Sequence, residues 1–348
     1  MVFFRRECFL TIHVILGHGG WVTSLAVGEE EIDGEKVEFL LSGSRDKTLI
    51  KWKLNERHAD EDDVEWGRPQ KMFTGHSHFV NEICLTGDGR FCFSASWDGT
   101  VRLWNVSTGK TVNKLIGHTK DVLSVALSAD YRQILTGGRD SQIKIWNVKA
   151  ECKHTVDKNC HTDAVSCVRF YHAHKPALCV TASWDKTVKV WDNTYMKLMH
   201  TFIGHKAQIN SIDMVNNFPY LASGSHDGQI MVWNLVEGKH LASYEYDSPV
   251  NCVIFSQKLY WVIVGCEDGI KVFDLPSKEN ILTIKETSLK PNELHDSEAK
   301  GESKKSDEKF VSCTSLAWNK SDDKLYAGFS DNYIRVYQIE ELSMQAQE

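Results

Sequence analysis

The sequence predicts an all-β fold in which seven four-stranded blades close into a ring. The first observation is a unit that recurs about every 40 to 45 residues. Each unit contains a turn aspartate followed, five or six positions later, by an aromatic residue. The strands between them, such as IKIWNV and VKVWDN, are apolar on nearly every residue, so both of their faces need a neighbour.

The turn aspartates mark the repeat, at successive spacings of 52, 42, 45, 42, 41 and 63 residues. They are Asp46, Asp98, Asp140, Asp185, Asp227, Asp268 and Asp331. Units of this length with Gly-His and Trp-Asp elements are typical of WD-type propellers. We therefore predict one seven-bladed WD-repeat β-propeller. The repeats place the blades at about 17–55, 70–107, 112–150, 155–194, 199–237, 241–277 and 310–340.

Each of the first five blades contains four polar residues that can form one hydrogen-bonded tetrad. The Gly-His histidine can contact the turn Asp with one ring nitrogen and a Ser or Thr with the other, and that hydroxyl can accept from the Trp indole N–H. Such a buried network is strong only when complete. The predicted structural tetrads are His18, Ser42, Asp46 and Trp52; His76, Ser94, Asp98 and Trp104; His118, Thr136, Asp140 and Trp146; His161, Thr181, Asp185 and Trp191; and His205, Ser223, Asp227 and Trp233.

The last two blades lack this set. Val264 and Phe273 in blade six, and Ala327 and Tyr337 in blade seven, replace the hydroxyl and the tryptophan. We expect these blades to depend on packing alone and to be the softest part of the ring.

The beginning of the chain and two insertions are predicted from composition. Residues 8–16 form an apolar segment without a blade of its own, so we expect it to pair with the C-terminal strands and close the ring. Residues 56–66 are acidic, and residues 285–309 are polar, charged and expected to be flexible. Each insertion is either a tolerated surface loop or a binding or phosphorylation segment.

No catalytic or metal-binding motif emerges from the sequence. G-x-S-x-G, P-loop and H-E-x-x-H patterns are absent. The best metal candidate, His172, His174 and Cys179, has no second paired motif and is better explained as a strand connection. The ten scattered cysteines are interpreted as reduced thiols of the core. We predict no enzyme activity, no cofactor and no metal.

The residue before each turn Asp should protrude on one rim of the ring. These residues are Arg45, Trp97, Arg139, Trp184, His226, Glu267 and Ser330. Trp97 and Trp184 are either interface anchors or strand-end side chains that pack on a neighbour. Although the net charge is −7, cations gather in blades one to three, whereas blades four to seven have acidic residues at several equivalent sites. Those cations are Arg45, Lys47, Lys51, Arg102, Lys120, Arg139 and Lys144. Phosphate-rich partners would bind the basic side.

The segments GHGGWVTSLA, SRDKTLIKWKL, SWDGTVRLWN, GHTKDVLSVALS and AGFSDNYIRVYQ resemble the receptor for activated C kinase family, over all seven blades. The resemblance implies a WD-repeat scaffold of the eukaryotic small ribosomal subunit, bound on its head near the messenger RNA exit. It also implies that protein kinases and other signalling proteins dock on the scaffold.

The same resemblance implies site residues. The ribosome-contacting pair of the family falls on Arg45 and Lys47, and the neighbouring blades contribute contacts to ribosomal RNA and protein. Those further residues are Ser77, His78, Lys120 and Arg139, to which the basic patch adds Lys144. The Lys that accompanies Arg139 in the family is replaced by Ser141 or Gln142.

Docking of signalling partners is a second expectation. The kinase-docking segments correspond to 248–256 and 269–275, and the partner-binding residues are expected to be Trp97, Trp184 and Tyr260. A second family tyrosine is absent, since Ala242 stands in its place.

The leading hypothesis is a cytoplasmic, ribosome-associated adaptor with no membrane span. A signalling propeller of the G-protein β type is the first alternative, but only 17 residues precede His18, too few for its long helix. A ubiquitin-ligase substrate receptor is the second, but its usual W-D-x-R ending is missing.

Overall fold

The computed structural model describes residues 7–32, 34–54, 67–156, 158–173, 177–215, 218–287 and 310–341. Every regular element in these ranges is a β-strand. The predicted acidic insertion 56–66, and the predicted flexible insertion beyond residue 287, lie outside the described residues. No helix suited to crossing a membrane occurs in the ranges above.

The strands form seven four-stranded antiparallel sheets arranged as a β-propeller, as predicted. The blade-one strands are β2 (Val22–Ile32), β3 (Glu35–Ser44), β4 (Leu49–Leu54) and β5 (Gly67–Phe73). Blade two contains β6 (Val80–Leu85), β7 (Phe91–Ser96), β8 (Thr100–Asn105) and β9 (Thr111–Ile116). Blade three contains β10 (Val122–Leu127), β11 (Gln133–Gly138), β12 (Ile143–Asn147) and β13 (Cys152–Thr155). Blade four contains β14 (Val165–Tyr171), β15 (Leu178–Ser183), β16 (Thr187–Asp192) and β17 (Lys197–Ile203).

Blade five contains β18 (Ile209–Met214), β19 (Tyr220–Ser225), β20 (Gln229–Asn234) and β21 (Lys239–Glu245). Blade six contains β22 (Val250–Phe255), β23 (Trp261–Cys266), β24 (Gly269–Asp274) and β25 (Asn280–Ile284). Blade seven contains β26 (Cys313–Trp318), β27 (Lys324–Phe329) and β28 (Ile334–Glu341), and its outer strand is β1 (Glu7–Ile15).

The N-terminal strand closes the ring, which confirms the prediction for residues 8–16. Strand β1 pairs antiparallel with β28, from Glu7 opposite Glu341 to Ile15 opposite Ile334. The two ends of the chain therefore share one sheet, and the outer edge of β28 is covered.

The predicted blade limits follow the sequence repeat and differ from the sheets by one strand. The repeat 70–107 includes most of β5, yet β5 pairs with β4 of blade one, where Leu49 lies opposite Phe73. Each repeat therefore supplies the outer strand of the preceding blade. Because of this offset, the last repeat supplies only three strands of blade seven, and β1 provides the fourth.

The core lies between neighbouring blades. One apolar cluster joins Phe93 and Val101 of blade two to Val122 and Ile134 of blade three. Small residues allow this close approach: a Cβ on Gly137 would lie 2.5 Å from the Cγ1 of Val165 in the next blade. Five cysteines, namely Cys92, Cys167, Cys179, Cys266 and Cys313, are buried as expected, whereas Cys152 is exposed.

Hydrogen bonds also join the blades around the central channel. Innermost strands carry a polar side chain that donates to a carbonyl of the next blade, for example Asn81 Nδ2 to Leu123 O at 2.6 Å and Asn210 Nδ2 to Val250 O at 2.6 Å. Thr314 Oγ1 donates across the closure to Val22 O. These contacts fix the angle between blades and so position the rim loops.

Candidate functional site

The structure brings the four members of each tetrad together in blades one to four. In blade two, His76 Nδ1 lies 2.7 Å from Asp98 Oδ2 and His76 Nε2 lies 2.7 Å from Ser94 Oγ. The Trp104 indole N–H donates to the same Ser94 hydroxyl at 2.7 Å. Blades one, three and four repeat this geometry with distances between 2.7 and 3.0 Å. The tetrads fix the rim turns that present the protruding residues.

The tetrad of blade five is broken, contrary to expectation. His205 Nε2 contacts Ser223 Oγ at 2.7 Å, but His205 Nδ1 lies 3.9 Å from Asp227 and is buried without a hydrogen-bond partner. The Asp227 carboxylate accepts from the backbone N–H groups of Lys206, Ala207 and Gln229, the first and last of which have counterparts in the intact tetrads. Burial lowers the pKa of His205 to about 4 because a charged imidazole would be desolvated there.

Blade six satisfies its turn aspartate with a buried lysine, so the expectation of packing alone is wrong. Lys271 Nζ lies 2.6 Å from Asp268 Oδ1, and its side chain is 0% exposed. The ammonium also lies 3.0 Å from the centroid of the Tyr246 ring, and the Tyr246 hydroxyl donates to Asp268 Oδ2 at 3.3 Å. Tyr246 precedes Asp268 by the same 22 residues that separate His76 from Asp98.

Blade seven uses a buried arginine in the same way. Arg335 donates through Nη1 and Nη2 to the two carboxylate oxygens of Asp331, at 3.2 and 2.6 Å. Glu286 lies 3.4 Å from Arg335 Nε and accepts from the Tyr337 hydroxyl at 3.0 Å. A basic residue also stands four positions after the turn Asp in blades two to four, as Arg102, Lys144 and Lys189. The signal that sequence reasoning missed is such a residue, three or four positions after the turn Asp, in a blade that lacks the tetrad histidine.

The residues before the turn aspartates surround the mouth of the central channel. The channel is lined by Arg45, Trp97, Trp184, His226, Glu267 and Ser330. Arg139 lies beside it in a small cleft with Lys120, Asp121 and Trp184. All of these rim side chains are at least partly exposed.

The structure corrects the predicted set of surface cations. Lys144 lies on β12, between β11 and β13, and its buried side chain donates to Thr155 Oγ1 at 3.1 Å. Lys51 is buried as well and pairs with Glu30 at 2.5 Å. Neither residue can contact a partner from the rim. The exposed residues of the predicted set are Lys47, Ser77, His78, Lys120 and Arg139, with Arg45 and Arg102 half-buried.

Two exposed lysines of the rim were not predicted from the sequence. Lys186 follows the turn Asp of blade four as Lys47 follows that of blade one, and both have positive φ, 72° and 74°. Lys206 lies in the rim loop of blade five with a side chain that is 76% exposed. The exposed cations of the rim, which we call the basic arc, therefore extend beyond blade three. The sequence had predicted acidic residues at several sites in this part of the ring.

Aromatic rings lie between the rim arginines. Arg45 Cζ lies 3.8 Å from the centroid of the Trp21 ring. Arg139 lies 5.4 Å from the Trp97 ring and 5.3 Å from the Trp184 ring, and His78 stacks on Trp97 at 5.7 Å. The rings of Trp97 and Trp184 pack on a neighbour and are still partly exposed. This arrangement fits both an interface anchor and a packed strand-end side chain.

Tyr260 lies on the other face of the ring. It belongs to the loop between β22 and β23, whereas Asp268 lies in the turn at the opposite end of β23. Its side chain is 65% exposed. A partner at Tyr260 would therefore not compete directly with one at Arg45.

No group of three His, Cys, Asp or Glu side chains suited to a metal occurs in the part of the chain that the structure describes. His174, from the metal candidate, lies outside that part. His172 stacks on Phe170 at 5.7 Å, and burial lowers its pKa.

Comparison with known proteins identifies the family. The model described as "WD domain, G-beta repeat" matches residues 9–53, 67–105, 109–147, 150–192 and 196–234. Over 325 residues, 93% of this chain and 95% of the relative, the chain is 43% identical to "Small ribosomal subunit protein RACK1" of Drosophila melanogaster. It is 44% identical to the protein of the same name from Caenorhabditis elegans, over 93% of this chain and 94% of the relative. The chain belongs to the RACK1 family.

A third relative has a different name. "Cross-pathway control WD-repeat protein 2" of Flammulina velutipes is 44% identical over 93% of this chain and 95% of its own. The matched WD repeats end at residue 234, before the two blades in which Lys271 and Arg335 replace the tetrad. Family membership confirms the resemblance found in the sequence.

Proposed function

We propose that this RACK1-family chain is a non-enzymatic scaffold bound to the small ribosomal subunit through the basic arc of its rim. The proposal takes the arc to be Arg45, Lys47, Lys120 and Arg139, with Ser77 and His78 beside them and Lys186 as an addition. Ribosomal RNA and proteins on the head of the subunit, near the messenger RNA exit, are the proposed contacts. The names of the Drosophila and Caenorhabditis relatives support the ribosomal assignment.

The main support for the proposal is that the guanidinium of Arg45 is held by an aromatic ring while its hydrogen-bond donors stay available. The Cζ of its guanidinium lies 3.8 Å from the centroid of the Trp21 ring, and among the described residues no side chain or carbonyl accepts a hydrogen bond from the guanidinium. Stacking leaves the donors at the edge of the guanidinium available, and their fork geometry matches a phosphate. Lys47 adds a second exposed cation two residues away. RNA phosphates are the natural ligand of such a pair.

The test is the double variant Arg45→Glu, Lys47→Glu, followed by sedimentation of cell lysate through a sucrose gradient. We expect the variant to leave the small-subunit fractions while its circular dichroism spectrum and Tm stay unchanged. The matched control is Lys197→Glu, Lys239→Glu, which reverses two exposed charges outside the arc. Co-sedimentation of the first variant at the wild-type level would overturn the proposal.

The opposite face is proposed to dock signalling proteins, including protein kinase C, with Tyr260 as a contact. Its support is the exposure of Tyr260 and its separation from the basic arc. We expect Tyr260→Ala to reduce capture of protein kinase C by the purified protein. Tyr195→Ala is the control, since Tyr195 is 81% exposed and lies in blade four. Equal capture by both variants would remove Tyr260 from the docking site.

A further inference from the structure

Two arginines occupy equivalent positions on the rim, one residue before the turn Asp of blade one and of blade three. In both blades the backbone N–H of the arginine donates to a carbonyl of the preceding rim loop. Arg45 N donates to Trp21 O at 2.9 Å, and Arg139 N donates to Asp121 O at 2.8 Å. The same backbone contact therefore places a tryptophan beside one arginine and an aspartate beside the other.

Trp21 supports Arg45 without using its hydrogen-bond donors. The indole is 40% exposed, and Arg45 Cζ lies 3.8 Å from its centroid. Phe79 of blade two lies on the same guanidinium at 5.8 Å. A cation over a ring face is held by the ring quadrupole, and the N–H groups in the guanidinium plane stay available.

Gly20 allows the two loops to come this close. A Cβ at this position would lie 2.9 Å from the backbone N of Asp46 and 3.1 Å from the carbonyl carbon of Arg45. Any larger residue would push the Trp21 loop away from the turn. The third glycine of the Gly-His-Gly-Gly-Trp segment is therefore explained by the close approach of the Trp21 loop to the Arg45 turn.

Asp121 supports Arg139 at the expense of its donors. Arg139 Nη1 donates to Asp121 Oδ2 at 3.0 Å, and the two side chains are 40% and 25% exposed. The carboxylate occupies one N–H and neutralises the charge nearby. Arg139 also lies 5.4 Å from the Trp97 ring and 5.3 Å from the Trp184 ring, so the difference between the two arginines is the carboxylate. A phosphate approaching Arg139 would meet Asp121, whereas Arg45 forms no ion pair with a carboxylate among the described residues.

We propose that Trp21 is a positioning residue that makes Arg45 the phosphate-binding arginine of the rim, and that Asp121 makes Arg139 a weak anion ligand. The proposal rests on the proposed function, because it assumes that an RNA-containing partner contacts the arc. Trp21 was not among the predicted site residues. Arg45 and Arg139, which were predicted as equivalent contacts, are expected to differ in their affinity for phosphate.

The first experiment measures equilibrium binding to purified small subunits over a range of KCl concentrations. Trp21→Ala should weaken binding about fivefold with an unchanged salt dependence, because a cation–π contact is lost while no charge is removed. Arg45→Ala should weaken binding and also reduce the slope of log K against log salt by about one. Trp21→Phe should restore most of the affinity, and Asp121→Ala should tighten binding.

The second experiment uses the free protein and separates this proposal from the ribosomal one. The Arg45 Nε–H resonance is followed in ¹⁵N-labelled protein during titration with inorganic pyrophosphate. The wild type should shift at lower pyrophosphate than Trp21→Ala, and the Arg139 resonance should shift least. If subunits do not bind but this order holds, the ribosomal function fails and the role of Trp21 stands. Equal titration of wild type and Trp21→Ala, or a stronger response at Arg139, would overturn the proposal.

Discussion

Blades one to four and blades six and seven satisfy the same turn aspartate in different ways. In the first group a histidine, a hydroxyl and an indole form a tetrad around it, as His76, Ser94 and Trp104 do for Asp98. In the second group a buried cation, Lys271 or Arg335, pairs with the carboxylate directly. The aspartate and the turn therefore define the blade, while the partner of the aspartate can vary.

The two solutions also differ in what a single substitution does. A substitution in a tetrad leaves one or two buried polar groups without a partner, whereas removing one partner of a buried ion pair leaves an uncompensated charge. Blades six and seven should therefore tolerate the loss of one partner less well than a tetrad does, while the expectation that they are the softest part of the ring stays a prediction.

The largest expected effect is at Arg335. Arg335→Met should lower the free energy of unfolding by about 3 to 5 kcal/mol, because Asp331 and Glu286 lose their buried cation. Urea unfolding measures it. The triple variant with Asp331→Asn and Glu286→Gln should recover part of the loss. A loss below about 1 kcal/mol would show that the ion pair is not important for blade seven.

The broken tetrad predicts a pH effect. His205 has a folded-state pKa of about 4, below its ordinary value of 6.5, so protons bind the unfolded chain first. Its contribution to stability is present above pH 6.5 and is lost as the pH falls toward 4, by up to about 3 kcal/mol. Urea unfolding at several pH values should show this decrease, and His205→Phe should flatten it. An equally steep decrease in His205→Phe would contradict the assignment.

A smaller effect is expected for a single hydroxyl in an intact tetrad. Ser94→Ala should cost about 2 kcal/mol, because the indole N–H of Trp104 and the Nε2 of His76 both lose their buried partner. Thermal unfolding is the measurement, and the exposed Ser77→Ala is the control. Equal Tm values for the two variants would mean that the tetrad does not stabilise blade two.

The smallest effect distinguishes the intact blade four from the broken blade five. Asp185→Asn should cost about 1 kcal/mol more than Asp227→Asn, because Asp185 accepts from His161 at 2.8 Å while Asp227 has no such contact. Comparison of the two midpoints in urea measures the difference. Identical costs would show that the His205 gap is energetically unimportant.

The sequence predicted the ring because seven turn aspartates are a strong local signal, and it predicted the closing strand because residues 8–16 had no blade. It did not predict that His205 Nδ1 would lie 3.9 Å from Asp227, since the tetrad residue types of blade five match those of blade two. The prediction of Lys144 as a surface cation was wrong, because a basic side chain on a strand can be buried, as that of Lys144 is beside Thr155. Trp21 was missed because its role depends on a contact between two loops.

The salt dependence of binding to purified small subunits decides whether the basic arc binds ribosomal phosphates. For the wild type, log K should fall linearly with log salt, with a slope of about −2 to −4 from the counterions that Arg45, Lys47, Lys120 and Lys186 release. Arg45→Glu, Lys47→Glu should bind weakly at every salt concentration. Binding that is tight and independent of salt, or unchanged in the double variant, would contradict the account.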